Sequence, residues 1–258
     1  MKQTKDVQSQ TDTRNITIDK VGVKNVRYPI VVEDRSNSQQ QTVADLDMYV
    51  ELPHQHRGTH MSRFIEVLNR FHTDTLISHL EAFLQDLRAS LDADVAYCTL
   101  RFPYFIRKTA PVSGIASLSS YTCFFEASLA EEYTLTLGVE VPVTSLCPCS
   151  KEISDNGAHS QRSSVTVRAR YRDFIWLEEL IEYVEQSASC EVYSLLKRVD
   201  EKYVTEKAYN NPAFVEDIVR DVTTKLLEDD RIIWFHVASE NYESIHNHNA
   251  YACVEREK

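Results

Sequence analysis

Two hydrophobic periodicities alternate along this chain, in an order that occurs twice. Residues 26–32 and 42–52 read as strands; in the second, Ala44, Leu46, Met48 and Val50 fall on one side and Asp45, Asp47, Tyr49 and Glu51 on the other. Apolar residues at helical spacing follow over 62–71 and 74–90, the latter with Leu76, Leu80, Phe83, Leu84 and Leu87 on one stripe. Strand patterns return over 94–106 and 117–129. The second half runs through the same scheme: strands over 134–143 and 163–171, helices over 174–186, 190–199 and 212–228, then strands over 231–238 and 250–255. Strand, strand, helices, strand, strand, met twice, predicts the α+β class, with antiparallel sheets and helices on one face, in halves at 19–130 and 131–258 that can join edge to edge. Residues 1–18 are polar and read as a frayed tail, and 36–41 as a short polar connection.

Composition excludes several functions. The chain has 258 residues, 43% of them hydrophobic, enough for a substantial core. Its formal charge of -11 argues against a general nucleic-acid binder. That charge is uneven: residues 1–130 hold 14 Lys+Arg against 15 Asp+Glu, and residues 131–258 hold 14 against 24. Within the first half His54, His56, Arg57, His60 and Arg63 cluster, with Arg107 and Lys108 ending a later strand; such a patch suits a small polyanion. Five glycines, no two closer than nineteen positions, cannot build a P-loop or a dinucleotide-binding fingerprint, so phosphate must be held by side chains or helix ends. No apolar signal core or eighteen-residue apolar run occurs, which predicts a soluble, cytoplasmic protein without membrane partners. Cys98, Cys123, Cys190 and Cys253 read as reduced core thiols.

Cys147 and Cys149 differ. They end a strand beside Pro148, and the turn-forming run Ser154-Asp155-Asn156-Gly157 is able to fold His159 back beside them. Thiolate and imidazole are ligands that a borderline-soft divalent metal prefers. A second patch, Glu243-Ser244-Ile245-His246-Asn247-His248-Asn249, puts His246 and His248 two apart and hence on one face of an extended stretch. Further on, Pro212 opens a helical pattern that Asn211 is able to cap; Glu216 falls at the edge of its apolar stripe of Val215, Ile218, Val219, Val222 and Leu226. Each feature alone has an ordinary structural reading: core thiol, solvated loop, helix-flank carboxylate.

Together with their context these segments resemble GTP cyclohydrolase type IB. The resemblance is carried by Arg57-Gly58-Thr59-His60-Met61-Ser62-Arg63, by the stretch from Gly138 to Lys151 containing Cys147-Pro148-Cys149, by Gly157-Ala158-His159-Ser160-Gln161-Arg162, and by the run from Glu243 to Ala250. It implies the tunnelling fold, a duplicated ββααββ unit that oligomerises, as a homotetramer, with active sites at subunit interfaces. It implies hydrolysis of GTP at C8, release of formate and formation of 7,8-dihydroneopterin triphosphate, the first step of tetrahydrofolate biosynthesis. A divalent metal ion (zinc, manganese or iron) is implied, with Cys147, His159 and Glu201 as ligands. His246 serves as acid/base assisted by Glu243, or completes the metal shell; Cys149 is a second thiolate, a proton donor or a packing neighbour. Glu216 anchors guanine, with Arg57, His60, Arg63 and His248 also contacting substrate. Two rivals stand beside this reading: a metal-free tunnelling-fold nitrile reductase acting on a 7-deazaguanine, and a non-catalytic metal-binding assembly module.

Overall fold

The computed structural model describes residue 8, residues 10–71 and residues 76–258. All eight expected strands form: β1 (Ile18–Asp34), β2 (Ser38–Leu52), β3 (Ala96–Thr109), β4 (Ala116–Leu129), β5 (Tyr133–Leu146), β6 (Ser160–Tyr171), and, after the two-residue β7 (Cys190–Glu191), β8 (Ile232–Asn241) and β9 (Ala250–Glu257). The helices are α1 (Met61–Leu68), α2 (Leu80–Leu91), α3 (Pro148–Ile153), α4 (Leu177–Glu185), α5 (Arg198–Asn210) and α6 (Val215–Glu228). Hydrogen-bonded neighbours follow the order β1-β2-β3-β4-β5-β6-β8-β9, with β7 on β5. The chain forms two compact units: one comprises the described residues up to Phe102 with Phe124–Thr136, the other Pro103–Cys123 with Leu137–Lys258. Among the described residues no helix is long and apolar enough to cross a membrane.

In the first unit the inward side of β2 is the expected one, with Ala44, Leu46, Met48 and Val50 all buried. Phe64, Val67 and Leu68 of α1 and Leu80, Phe83, Leu84 and Leu87 of α2 supply the opposing layer. Phe71 meets Phe83 edge to face at 5.3 Å. The expected helix at 74–90 is a 3₁₀ turn (Ile77–His79) followed by α2, and its start at Asp74 lies outside the described residues. Strand β1 begins eight residues earlier than its alternation suggests, because bulges between Ile18 and Val21 and between Val23 and Val26 break the period while pairing with β2 continues. The two backbones come so close that a Cβ on Gly22 would lie 1.9 Å from the Met48 carbonyl oxygen, so any side chain there forces the ladder apart. The expected connection at 36–41 is shorter than predicted. Asp34 accepts the N–H groups of Ser36 and Asn37, each at 2.8 Å, closing the turn early enough for residues 38–41 to enter β2. In the tail, Asp12 N–H donates to Gln55 and Arg57 N–H to Gln10.

In the second unit α6 buries the predicted stripe of Val215, Ile218, Val219, Val222 and Leu226 and packs on α4, β8 and β9. The expected helix at 190–199 does not form. Cys190 and Glu191 instead pair with Thr144 and Val143 of β5, and the helix begins only at Arg198. The Asp200 carboxylate sets that start by accepting the Lys197 N–H at 2.8 Å. The same buried carboxylate takes the N–H groups of Val112 and Ser113 and the Ser113 hydroxyl, holding the 110–115 turn to α5. Asn211 likewise does not cap α6. It ends α5, donating its amide to the Ala188 carbonyl at 2.9 Å, while α6 starts at Val215 with Phe214 N–H bonded to Asp217. Cys98, Cys123 and Cys190 are buried as expected, but Cys253 is exposed, because it lies on β9, which ends the strand order.

Strand β7 is held in place electrostatically. Glu191 accepts from the Lys207 ammonium of α5 and from the Tyr193 hydroxyl. Burial by itself raises the Glu191 pKa, yet these partners more than offset it, taking the carboxyl from its ordinary 4.5 to about 2. A folded pKa below the unfolded one means stability that is full above the ordinary value and is lost as pH falls from about 4.5 towards about 2. Acid unfolding followed by circular dichroism is therefore expected to steepen in that window, and Glu191→Gln to flatten it.

Candidate active site

The end of β5 and the start of β6 form the centre of the site. Their register pairs Leu146 with Ser160 and Ser145 with Gln161, so the intervening residues 147–159 make a closed excursion rather than an open loop. The Cys147 N–H donates to the His159 carbonyl at 3.1 Å, which joins the two predicted ligands through the backbone. Cys147 N-caps α3: its Sγ accepts the Ser150 N–H at 3.4 Å, and Pro148 takes the first helical position, where no N–H is needed. The Ser150 hydroxyl bridges the excursion, donating to the Cys147 carbonyl at 3.1 Å and accepting the His159 N–H at 3.2 Å. No apolar stripe marks this short helix in the sequence, since none of its residues is buried. Cys149, on α3, is exposed.

The His159 imidazole is placed by side chains. Its Nδ1 lies 3.1 Å from Gln161 Oε1 and 3.2 Å from Ser244 Oγ. Gln161 Nε2 in turn donates to Ser145 Oγ at 2.9 Å and to Glu243 Oε1 at 3.4 Å. The residues after β8 are thereby drawn to the hairpin, helped by Tyr242 N–H on the Arg162 carbonyl and by a buried Ser163 hydroxyl donating to Asn241 at 2.6 Å. Glu243 is half-buried and bonds to Gln161 rather than to His246. His246 and His248 are exposed, with ring centroids 5.1 Å apart and planes 30° from parallel, so they share a side although the segment is a series of bends and not a strand.

Other predicted residues are tied to this hairpin or stand away from it. Ala213 N–H donates to the Leu146 carbonyl at 3.1 Å, which anchors the entry to α6 beside Cys147; Glu216 follows in the first turn, itself exposed. Lys151 of α3 reaches the Tyr209 carbonyl and lies 4.4 Å from its ring centroid, fastening α3 to the last turns of α5. Glu201 is at the other end of that helix, eight residues from Tyr209 and so about 12 Å along the axis. Among the described residues no group of three or more His, Cys, Asp or Glu stands close enough to hold a metal ion. The Cys147–His159 backbone bond joins two of the three predicted ligands, and among the described residues no three-ligand cluster adds Glu201 to them.

Arg57, His60 and Arg63 belong to the first unit. Arg57 donates to Gln10 Oε1 at 2.7 Å and lines a cavity of about 160 Å³ with Asp12, Arg14 and His56. Arg63 donates to the Ser90 carbonyl at 3.1 Å. His60 is the N-cap residue of α1.

Gln161, Ser145 and Ser244 were not singled out from the sequence. The strand pattern read from the sequence begins only at residue 163, whereas β6 begins at Ser160, so Gln161 lies in a part of the strand that the alternation does not mark.

Comparison with known proteins completes the description. The family model for type I GTP cyclohydrolase folE2 matches residues 4–252. The GTP cyclohydrolase FolE2 of Geotalea uraniireducens is 59% identical over 253 residues, covering 98% of this chain and 93% of that protein. That of Geobacter sulfurreducens is 56% identical, covering 98% of each. Among solved structures, urate oxidase from Bacillus subtilis 168 aligns with a TM-score of 0.52 at 9% identity, covering 93% of this chain and 98% of that one. Urate oxidase from Bacillus sp. TB-90 gives 0.53 at 10% identity, covering 93% and 100%. Likeness at that identity is one of fold.

Proposed function

The chain belongs to the type I GTP cyclohydrolase FolE2 family, and from that premise we propose how its residues divide the work of opening GTP. The reaction adds water at C8, releases that carbon as formate and yields 7,8-dihydroneopterin triphosphate. The fold is the α+β tunnelling fold of the family, and we read residues 19–130 and 131–258 as its two duplicated halves.

The hairpin supports a metal centre on Cys147 and His159. With Nδ1 engaged by Gln161 and Ser244, the remaining ring nitrogen Nε2 is the one left to ligate, and Cys147 adds a soft sulfur on the same excursion. Cys147 and His159 would hold a divalent ion, which when bound would supply a water acidic enough to deprotonate near neutrality. The donor set is consistent with zinc, manganese or iron. Glu201 is the proposed third donor. Because no such three-ligand cluster forms among the described residues of one chain, we assign completion of the site to assembly into a homo-oligomer, a tetramer in the family reading, with GTP bound where copies meet.

The remaining roles follow from chemistry. Glu216 accepts the guanine N1–H and 2-amino protons, and the Ala213–Leu146 bond holds its helix entry beside Cys147. Glu243 and His246 exchange protons at N7 and on the ring-opened product, with His248 alongside as a substrate contact. Arg57, His60 and Arg63 bind the triphosphate, a role for which no glycine loop is available. Cys149 is exposed next to the centre and is assigned a proton-donating role. The single observation carrying this reading is that the Cys147–His159 hairpin, in a chain of this family, leaves one imidazole nitrogen and one sulfur for a metal. Metal-stripped protein given GTP, with zinc or manganese added back, is expected to release formate and fluorescent pterin only after metal addition. Full activity of the stripped protein would overturn the metal centre.

A further inference from the structure

We propose that Gln161 is a positioning residue of the active site, whose amide fixes the His159 tautomer and ties that imidazole to Glu243. The orientation of the amide is determined by its neighbours. Glu243 Oε1, 3.4 Å from Gln161 Nε2, is a carboxylate oxygen and can only accept, so the nitrogen must face it. Rotating the amide by half a turn would set oxygen against oxygen there. With Nε2 spent on Glu243 and, at 2.9 Å, on Ser145 Oγ, both amide protons are used and Oε1 remains as an acceptor. His159 Nδ1 stands 3.1 Å from that oxygen, so a lone pair on Nδ1 would face another lone pair. Nδ1 therefore carries the proton, the Ser244 hydroxyl 3.2 Å away is a second acceptor, and the ligating lone pair is on Nε2.

The device is rigid because of where it is built. Ser145 is fully buried on β5 and directly opposite Gln161 in the β5–β6 register, so the amide is anchored to the sheet. Gln161 also lies between the proposed ligand and the proposed acid/base group, bonding one through its oxygen and the other through its nitrogen. A displacement of either is felt by the other. This inference rests on the reading of His159 as a metal ligand, but its tautomer part does not.

The test uses the full-length protein with ¹⁵N-labelled histidine, His159 being assigned by loss of its signals in His159→Ala. Metal-free wild type is expected to show His159 protonated at Nδ1. Gln161→Leu removes the acceptor and should shift His159 towards the Nε2–H form; its Co²⁺ affinity, read from the thiolate-to-cobalt absorption, should fall about 10- to 100-fold. Gln161→Glu keeps an acceptor for Nδ1 and should keep the tautomer, while its like charge disturbs Glu243 and shifts the pH profile of turnover. An Nε2–H tautomer in the wild type overturns the inference, as does Gln161→Leu with unchanged tautomer and Co²⁺ affinity within twofold of wild type. Should Gln161→Leu fail to fold, the wild-type spectrum and Gln161→Glu decide. Full Co²⁺ affinity in His159→Ala would instead defeat the metal-ligand reading and leave the tautomer result standing.

Discussion

Replacing Cys147 with Ala is expected to remove bound metal and GTP turnover together while leaving the folded protein largely intact. Two magnitudes decide between those effects. Complete zinc sites in small peptides release about 10–16 kcal/mol on binding, so one donor of three or four accounts for about 3 kcal/mol or more, over a hundredfold in affinity. On the structural side Cys147 contributes one weak cap, its Sγ accepting the Ser150 N–H at 3.4 Å, and loss of an N-cap costs about 1 kcal/mol. Its backbone bond to the His159 carbonyl survives the substitution. Metal content by emission spectroscopy, formate release and a thermal melt on one preparation separate the two. Retained metal with lost activity would move Cys147 from ligand to proton carrier, and an unfolded variant would make it a structural residue. Cys149→Ala, made alongside, shows whether the exposed second thiol shares the metal.

How much of this was legible in the sequence depends on whether a residue's role is local. The β2 alternation and the α6 stripe were read correctly because each element buries one continuous face, and burial writes a period into the chain. Helix α5 carries no such record. Only Asp200 and Ala208 are buried in it, and Val199 and Tyr203 are exposed, so no stripe distinguishes it from a polar connection. Helix starts were misread for a related reason. Trp176, Lys197 and Phe214 occupy the N-cap positions of α4, α5 and α6, and their N–H groups bond to carboxylates three residues on: Glu179, Asp200 and Asp217. The signal was the acid at the third position, not a Ser, Asp or Asn at the cap. The proximity of Cys147 and His159 is legible because a turn-rich run separates them and brings them back to a backbone bond. Gln161 acquires its meaning from Ser145 opposite and Glu243 eighty-two residues away, which only the β5–β6–β8 register reveals. Glu201 has a defined place in the first turn of α5, but among the described residues of one chain nothing joins it to Cys147 and His159 as a metal cluster.

The second large effect is expected at Glu216. Substitution by Gln should leave metal content and folding close to wild type but weaken GTP binding by roughly a hundredfold, about 3 kcal/mol. A carboxylate offers two acceptors to the N1–H and 2-amino donors of guanine, each bond strengthened by charge; an amide keeps one and turns a donor towards a donor. Hydrogen bonds to a charged group contribute about 1.5–3 kcal/mol, and a donor left unsatisfied in a closed site adds a penalty of similar size, so a loss of this order follows without any change in fold. Stability is protected because Glu216 is exposed in the first turn of α6, whose buried stripe is untouched; only a favourable helix-dipole contribution of about 0.3–1 kcal/mol is removed. Inosine triphosphate, which lacks the 2-amino group, supplies the internal control. Wild type should prefer GTP to it clearly, and Glu216→Gln should lose most of that preference, because the group that reads the 2-amino proton is gone. Calorimetry on both proteins with both nucleotides gives four affinities. Unchanged discrimination in the variant would place guanine recognition elsewhere, and equal loss for both nucleotides with reduced metal would show that Glu216 supports the site instead of reading the base.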